Sequence, residues 1–270
     1  MKNETYQLPN DDMDELVQDA MDGAFVGGLS TLSDAARSVF YDQHRQAIVS
    51  LVEYRELMMM YACAMKEIQT KFEILNTEYK VRYQRNPIST ITTRLKRTKS
   101  ILGKLERNGK GFSLENIMDT LSDVAGVRVI CPYIDDIYTI ADALLKQDDI
   151  TLIRKKDYIA QPKENGYRSL HLIVEVPVFF AEQKKRMKVE VQIRTIAMDF
   201  WASLEHQMKY KQEIPNEKEI IEELRKCAQV ISETDEKLLA IRKHIEAASD
   251  SPSEDDILLE KLSRLDIGIN

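Results

Sequence analysis

The sequence lacks the segments and motifs that mark several large classes of protein. No apolar run in its 270 residues approaches the roughly 20 that a membrane helix needs. The first residues also lack the apolar core of a signal peptide. Neither Gly-x-x-x-x-Gly-Lys-Ser/Thr nor Gly-x-Gly-x-x-Gly occurs, so the common phosphate-binding loops do not apply. Because neither a membrane helix nor a signal peptide is indicated, we expect a cytoplasmic protein that makes no contact with membranes.

Metal-binding and disulfide patterns are missing as well. The four histidines form no His-Asp dipeptide and no His-Glu-x-x-His, which disfavours a metal-dependent hydrolase site. Cys63, Cys131 and Cys227 are scattered and odd in number, and their spacing fits no metal site. These patterns predict reduced thiols in a cytosolic protein.

Charge is unevenly distributed. The net charge of -7 argues against a general nucleic-acid binder. Residues 80–110 nevertheless carry ten basic side chains, and Glu106 is the one acid among them. Such a block suggests a phosphate site or an RNA-binding patch, but composition alone favours the simpler interpretation, a solvated helix face.

The pattern along the chain predicts five regions. These are an acidic, weakly ordered leader at residues 1–32, a helical region at 33–84, a core at 85–211, a helix at 212–248 and an acidic tail at 249–270. A short helix is predicted within the tail, near residues 257–265. We find no internal repeat and no low-complexity tract.

The first long helix is expected to begin at Ser33 and to end before Asn86-Pro87. Apolar residues recur along it at alternating spacings of three and four, which forms a continuous seam. This seam could pack on the domain's own core or on a partner helix. Its members are Leu51, Tyr54, Met58, Tyr61, Met65, Ile68, Phe72, Leu75 and Tyr79.

The core is expected to be α/β. A basic helix is predicted from Ser89 to Arg107, ended by Gly109 and Gly111. β-rich segments follow at residues 124–131, 151–159, 168–176 and 187–194, with a helix at 134–146 between the first two. The mixture of strands and helices predicts an α/β sheet covered on at least one face.

Two helices close the chain. One begins near Thr195, and Pro215-Asn216 interrupts it. The last runs from Glu217 to Ala247, and its apolar residues keep a heptad register with Thr234 in the one polar slot. This register predicts a homo-oligomer, unless the two long seams pack against each other within one chain. The apolar positions of this last helix are Ile220, Leu224, Cys227, Ile231, Leu238, Ile241 and Ile245.

The segment from Lys188 to Arg194 is the most informative strand. Its alternation places Val189, Val191 and Ile193 on one face, with polar residues on the other. A polar face is usually just solvated, but a strand in the middle of a covered sheet favours a site. The polar residues are Lys188, Glu190, Gln192 and Arg194.

A second strand supplies a possible metal partner for Glu190. Asp123 stands where this strand begins, and Arg128 points away from its apolar neighbours. Gly126 shares the Arg128 face and would let a ligand approach the backbone. Asp123 and Glu190 could bind one Mg²⁺, which prefers oxygen ligands and keeps waters for substrate phosphates.

The turn-rich segment from Lys155 to His171 carries the remaining candidates. Tyr side chains can stack on a base, and Lys and Arg can hold phosphates. The simpler interpretation is a hairpin in which Asn165-Gly166 is only turn chemistry.

Together these segments resemble the synthetase domain of the RelA/SpoT family. The four stretches follow one another in the right order over residues 85–211, which makes the match specific. They read Thr93-Arg94-Leu95-Lys96 with Ser100-Ile101 and Lys104; Asp123-Val124-Ala125-Gly126-Val127-Arg128; Lys156-Asp157-Tyr158 with Pro162-Lys163-Glu164-Asn165-Gly166-Tyr167-Arg168-Ser169-Leu170-His171; and Glu190-Val191-Gln192-Ile193-Arg194-Thr195 with Trp201-Ala202, Glu205-His206 and Tyr210-Lys211. The length and the missing His-Asp dipeptide resemble a small alarmone synthetase, which has no hydrolase domain.

The resemblance implies a nucleotidyltransferase-like α/β fold, in which helices flank a mixed sheet of about five strands and long helices stand at both ends. It also implies a tetramer and a Mg²⁺-dependent transfer of pyrophosphate from ATP to the 3′-hydroxyl of GDP or GTP. Catalysis and metal binding fall to Asp123 and Glu190. The implied ATP site comprises Arg94, Lys96, Ser100, Lys104 and Arg128. The implied guanosine-nucleotide site comprises Lys156, Lys163, Asn165, Tyr167, His171 and Gln192.

Two other functions remain open at this point. Some relatives are toxins that pyrophosphorylate an RNA 3′ end or an adenosine nucleotide, and a tyrosine stacks on any base. A catalytically inactive member could instead serve as an interaction module, binding single-stranded RNA through the basic block. The presence of both carboxylates disfavours that second possibility.

Overall fold

The computed structural model describes residues 34–209, residues 217–248 and Leu258. The predicted leader, the break at Pro215 and the tail helix therefore lie outside the described residues, apart from Leu258. The helices are α1 (Asp34–Tyr83), α2 (Thr98–Arg107), α3 (Leu114–Thr120), α4 (Ile134–Leu145), α5 (Ile196–Lys209) and α6 (Glu217–Ala248). The strands are β1 (Thr90–Leu95), β2 (Ala125–Cys131), β3 (Thr151–Asp157), β4 (Leu170–Phe179) and β5 (Lys184–Thr195).

The five strands form one mixed sheet in the order β1-β2-β5-β4-β3. Strands β2 and β5 are parallel, and the other neighbouring pairs are antiparallel. The predicted fold class is confirmed, and the predicted strands and the helix at 134–146 differ from the observed ones by a few residues at their ends. Strand β5, which carries Glu190, is the central strand.

One face of the sheet is packed. Alternate residues of β2 and β5, such as Val127, Val129 and Val191, point into a core that α1 and α4 complete. The seam of α1 belongs to this core, because Ile68 and Phe72 are fully buried there. Of the two interpretations of that seam, packing on the domain's own core is the correct one.

The predicted basic helix from Ser89 to Arg107 is wrong in its first half. Residues Thr90–Leu95 form strand β1, which pairs with β2 in antiparallel register. The segment Thr90-Ile91-Thr92-Thr93 is β-branched throughout, and β-branched side chains favour a pleated surface over a helix. The helix is limited to α2, and Gly109 follows it with a φ of +66°.

Helix α6 packs through its first half and leaves an apolar strip on its second. Leu224 and Ala228 are buried against Trp201 of α5, whose Nε1 donates to the Leu224 carbonyl at 3.0 Å. Farther along, Arg242 forms an ion pair with Asp135 of α4. Leu238, Ile241 and Ile245 remain about half exposed in the single chain.

Two further predictions concern the cysteines and the absence of a membrane helix. The three cysteines are free thiols, of which Cys131 is buried. None of the described helices is long and apolar enough to span a membrane.

Candidate active site

Polar side chains cross the sheet on the face opposite the α1 core. Because neighbouring strands are in register, residues from different strands line up in rows. One row contains Thr92, Arg128, Gln192, His171 and Lys156, taken from β1, β2, β5, β4 and β3. The adjacent row contains Arg94, Gly126 and Glu190. The alternation noted along the Glu190 strand thus extends across the whole sheet.

A cleft of about 440 Å³ opens over the β1–β2–β5 part of this face. Six of the predicted site residues line it together, although they are spread over nearly 100 positions of sequence. They are Arg94, Lys96, Asp123, Arg128, Glu190 and Gln192, and the wall also includes Thr92, Gly126 and Val127. Three of the five predicted ATP residues, Arg94, Lys96 and Arg128, therefore share one cavity with both predicted metal ligands.

Asp123 is held by two cations. Its Oδ2 accepts from Lys96 Nζ at 2.9 Å and lies 2.8 Å from Lys104 Nζ. Although burial alone would raise the pKa of Asp123, the hydrogen bonds from Lys104 and Lys96 outweigh it and keep the pKa below its usual value. Its Oδ1 is buried and has no hydrogen-bond partner within the described part of the chain. A buried, ionised oxygen without a partner is suited to a cation.

Glu190 is the second carboxylate of the cleft. His171 Nδ1 lies 3.5 Å from Oε1, and Gln192 Nε2 donates to Oε2 at 3.0 Å. Burial again would raise the pKa of Glu190, but these contacts with His171 and Gln192 lower it. Glu190 is therefore ionised at neutral pH, as a metal ligand must be.

The two carboxylates fit a magnesium site better than a closed protein cage. No group of three or more His, Cys, Asp or Glu side chains suited to a metal occurs in the described ranges. Mg²⁺ is commonly held by one or two carboxylates, with waters and substrate phosphates completing its six ligands. The pair Asp123 and Glu190 matches that requirement.

The loop between β3 and β4 carries the predicted guanosine-nucleotide residues. It turns at Gly166, whose φ is +88° and whose N–H donates to the Lys163 carbonyl at 2.8 Å. Asn165 supports the turn through its own side chain, which accepts from the Tyr167 N–H, and it also donates to Glu205 of α5. The Asn-Gly pair is therefore turn chemistry, as the simpler interpretation proposed, and it also fastens the loop to α5.

Tyr167 lies at the centre of an aromatic group in this loop. Its ring meets Tyr158 and His171 edge-on, with centroids 6.0 and 5.8 Å away. Lys163 Nζ lies 4.6 Å from the Tyr167 centroid and 4.8 Å from that of Tyr158. The Tyr167 hydroxyl is bonded to His171 Nε2 at 2.8 Å, which connects the loop to the neighbour of Glu190.

Several predicted residues lie outside the wall of the cleft. Ser100 is exposed on the first turn of α2, one turn before Lys104. Lys156 is exposed on the edge strand β3, as the cross-strand neighbour of His171. Lys163, Asn165 and Tyr167 are in the loop. Of these, Tyr167 contacts His171, which is itself outside the wall but lies beside Glu190 of the cleft.

Three residues with a place at this site were not predicted. Thr92 lines the cleft, but its segment was expected to be helical. Arg194 was predicted to share the Glu190 face without a role, and it contacts Tyr167 and Gln192. Asp199 pairs with Arg128 and Arg194. An acidic residue in the first turn of a helix is common, so Asp199 gave no distinctive signal.

Comparison with known proteins agrees with this geometry. A sequence profile of the region found in RelA / SpoT proteins matches residues 93–215. The GTP pyrophosphokinase YwaC of Bacillus subtilis (strain 168) is 41% identical over 194 residues, which cover 72% of this chain and 92% of YwaC. The GTP pyrophosphokinase YjbM of the same organism is 35% identical over 196 residues, covering 73% and 92%.

Solved structures give the same result. The small alarmone synthetase 2 from Bacillus subtilis is similar with a TM-score of 0.64 at 41% identity, over 71% of this chain and 99% of that chain. The small alarmone synthetase 1 from Bacillus subtilis, bound to its product pppGpp, is similar with a TM-score of 0.65 at 34% identity, over 72% and 98%. The chain is thus a RelA/SpoT-type synthetase. Within that class it belongs to the small alarmone synthetases.

Proposed function

We propose that this protein transfers the terminal pyrophosphate of ATP to the 3′-hydroxyl of GDP or GTP, forming ppGpp or pppGpp and releasing AMP. The observation that carries the proposal is the convergence of Asp123 and Glu190 on one cleft, between the arginines of β1 and β2 and the Tyr167 loop. The Bacillus subtilis small alarmone synthetase 1 has been solved with AMPCPP and with pppGpp, which supports nucleotides as the substrates here.

The donor half is assigned to the β1–β2–α2 side. Arg94 and Arg128 project from neighbouring strands, and planar guanidinium groups can stack on both faces of an adenine. Lys96, Ser100 and Lys104 are assigned to the ATP phosphates. Lys96 and Lys104 now pair with Asp123, so the phosphates compete with this carboxylate for the two ammonium groups.

The acceptor half is assigned to the Tyr167 loop together with Lys156, Lys163, Asn165, His171 and Gln192. Tyr167 offers a ring on which guanine can stack, at about 1–3 kcal/mol per base. Lys163 lies against that ring, so stacking requires its ammonium group to swing aside. There it can meet the phosphates of the acceptor nucleotide instead.

The transfer is an in-line displacement at phosphorus. Glu190 accepts the proton of the 3′-hydroxyl as the oxygen bonds to the β-phosphorus of ATP. The bond from that phosphorus to the oxygen bridging to the α-phosphate breaks, and AMP leaves with the electron pair. Asp123 and Glu190 would hold Mg²⁺, which when bound neutralises charge on the phosphate oxygens. Positioning and charge neutralisation dominate such reactions.

The protein is proposed to work in the cytoplasm, where ATP and guanosine nucleotides are available, and as a homo-oligomer. Leu238, Ile241 and Ile245 form an apolar strip on α6 that water contacts in the single chain. Burial of such surface stabilises an assembly by about 25 cal/mol per Å². A tetramer is the stoichiometry that the family resemblance implies.

The decisive experiment supplies the pure protein with ATP labelled in its terminal phosphates, Mg²⁺ and one acceptor at a time: GDP, GTP, AMP or tRNA. We expect label to reach GDP and GTP and to depend on Mg²⁺. Label on AMP or on the tRNA 3′ end alone would identify the enzyme as a relative with another acceptor. No transfer to any acceptor, with binding of single-stranded RNA instead, would identify an inactive interaction module.

A further inference from the structure

Arg194, near the end of β5, is almost completely buried beneath the acceptor side of the cleft, with 5% of its side chain exposed. Its Nη2 donates to the Tyr167 hydroxyl at 2.6 Å and to Gln192 Oε1 at 2.8 Å. Its Nε donates to Ser169 Oγ at 3.3 Å, and its Nη1 donates to Asp199 Oδ1 at 3.1 Å. A buried guanidinium is stable only when its donors are paired, so these contacts fix its position.

The chemistry of arginine sets the direction of the bonds that leave it. A guanidinium group only donates, so the Tyr167 oxygen must accept from Arg194. The hydroxyl proton is then available for His171 Nε2, which leaves the proton of a neutral His171 ring on Nδ1, the nitrogen nearest Glu190.

The same reasoning applies to Gln192. Its Oε1 accepts from Arg194, so its amide nitrogen is turned toward Glu190 Oε2. Two chains of hydrogen-bonding groups therefore lead from Arg194 to the two oxygens of one carboxylate. One runs through Tyr167 and His171, and the other runs through Gln192.

Asp199 extends this arrangement to the donor side. It stands in the first turn of α5, and its Oδ1 accepts from Arg194 at 3.1 Å and from Arg128 at 3.3 Å. Arg128 is assigned to the adenine of ATP. One carboxylate oxygen thus contacts both the guanidinium behind Tyr167 and the guanidinium assigned to ATP.

We propose that Arg194 and Asp199 are positioning residues that hold the acceptor-side Tyr167 and Gln192 in fixed geometry with the donor-side Arg128. Neither is assigned a contact with the reacting atoms. The inference rests on the proposed function, because it assigns the two sides of the cleft to two substrates. Transfer between two bound nucleotides depends strongly on their relative placement.

The test removes one charge and one hydroxyl, separately and together. Asp199→Asn keeps the shape of the side chain but loses the charge shared by two arginines. We expect the KM values for ATP and for the guanosine nucleotide both to rise about ten- to hundredfold, as for loss of hydrogen bonds to a charged group. Tyr167→Phe should raise the guanosine-nucleotide KM alone, because Arg128 keeps its contact with Asp199.

The double variant separates positioning from general damage. If Asp199 acts on the acceptor through Arg194, Asp199→Asn should raise the guanosine-nucleotide KM less in the Tyr167→Phe background than in the wild type, because only the route through Gln192 remains. Its effect on the ATP KM should persist in full. Fully additive effects on the guanosine-nucleotide KM would overturn the proposal. Asp142→Asn makes the same change at an exposed site on α4 and should leave both KM values unaltered.

Two further measurements keep the outcome unambiguous. Melting temperatures report whether each variant is folded; if Asp199→Asn is not, an unchanged guanosine-nucleotide KM in Tyr167→Phe still overturns the proposal. Calorimetric binding of GDP and of AMPCPP needs no turnover, so the same pattern can be sought in dissociation constants. A wild-type protein that transfers no pyrophosphate but shows this pattern would refute the proposed function and leave the positioning role supported.

Discussion

Gly166→Ala is the most informative single substitution that the acceptor loop offers. Gly166 has a φ of +88°, in the region that L-residues avoid. A Cβ built there would lie 2.5 Å from the Ala228 Cβ and 3.2 Å from the Arg225 Cα. The loop therefore rests directly on the backbone of α6, and only glycine allows this approach.

The cost has two parts. A left-handed conformation costs an alanine about 1–2 kcal/mol. Carbon atoms in contact normally lie about 3.5–4.0 Å apart, so loop and helix must separate by about 1 Å or more. Such overpacking typically costs about 1–3 kcal/mol. Helix α6 is fastened elsewhere, by Trp201 to the Leu224 carbonyl and by Thr195 to Asp235, so the loop is the element that yields.

The displaced loop should appear in kinetics more than in stability. A shift of about 1 Å in a substrate-positioning group can cost roughly a hundredfold in rate, so we expect a large rise in the guanosine-nucleotide KM or a fall in kcat. The ATP KM should change little. Gly109→Ala is the matched control, because its φ is +66° and a Cβ there meets no atom of the described structure within 4 Å.

A second substitution checks the mechanism of the effect. Ala228→Gly, added to Gly166→Ala, removes the closest clash and should recover part of the acceptor affinity, although the Arg225 contact remains. If Gly166→Ala behaves like Gly109→Ala in both KM values and melting temperature, the loop does not depend on its contact with α6. That result would refute the reasoning.

Three other predictions follow from the same contacts. Glu190→Gln should lower kcat by about 10²–10⁴ with an unchanged melting temperature, since the amide keeps the shape but loses the charge; near-normal turnover would remove Glu190 from the mechanism. Gly126→Ala should spare stability, because its Cβ would be 3.5 Å from the Arg94 carbonyl oxygen, yet it fills the donor cleft and should raise the ATP KM roughly five- to hundredfold. Leu238→Glu combined with Ile241→Glu should lower the molecular mass measured by light scattering without loss of helix content. Leu224→Glu should instead disrupt the packing of α6 against Trp201 and lower the melting temperature. A wild-type monomer at micromolar concentration would exclude the oligomer.

The strands that carry the site were predictable because their patterns are local. Along residues 188–194, apolar and polar residues alternate, so Val191 lies on one face of the strand and Glu190 and Gln192 lie on the other. Because the apolar face is buried in the core, the polar residues must share the opposite face. Asp123 and Arg128 followed from the same argument. Strand β1 was missed because the basic residues around it and the glycines after it resemble a helix with its end signal, and β propensity depends strongly on context.

The contacts of Asp199 and the packing of α6 could not be predicted, because both depend on distant partners. Asp199 and Arg128 are 71 positions apart, and no periodicity links them. The heptad pattern of α6 predicts one continuous seam, but the face that packs within the chain runs through Ala228 and Asp235. Asp235 and Arg242 face the rest of the chain instead, because Asp235 bonds to Thr195 and Arg242 pairs with Asp135 of α4. The second half of the predicted seam is therefore exposed.

The two halves of the cleft are held by different kinds of interaction, so substitutions should affect them to different degrees. The side proposed to bind ATP consists of neighbouring strands β1 and β2, whose backbone hydrogen bonds fix Arg94 and Arg128. The side proposed to bind the guanosine nucleotide is a loop whose position depends on side-chain contacts with β5, α5 and α6. Local openings start where few backbone bonds hold a segment, so the loop should open before the strands do. Substitutions on α6 far from either nucleotide should therefore weaken the guanosine substrate before they weaken ATP.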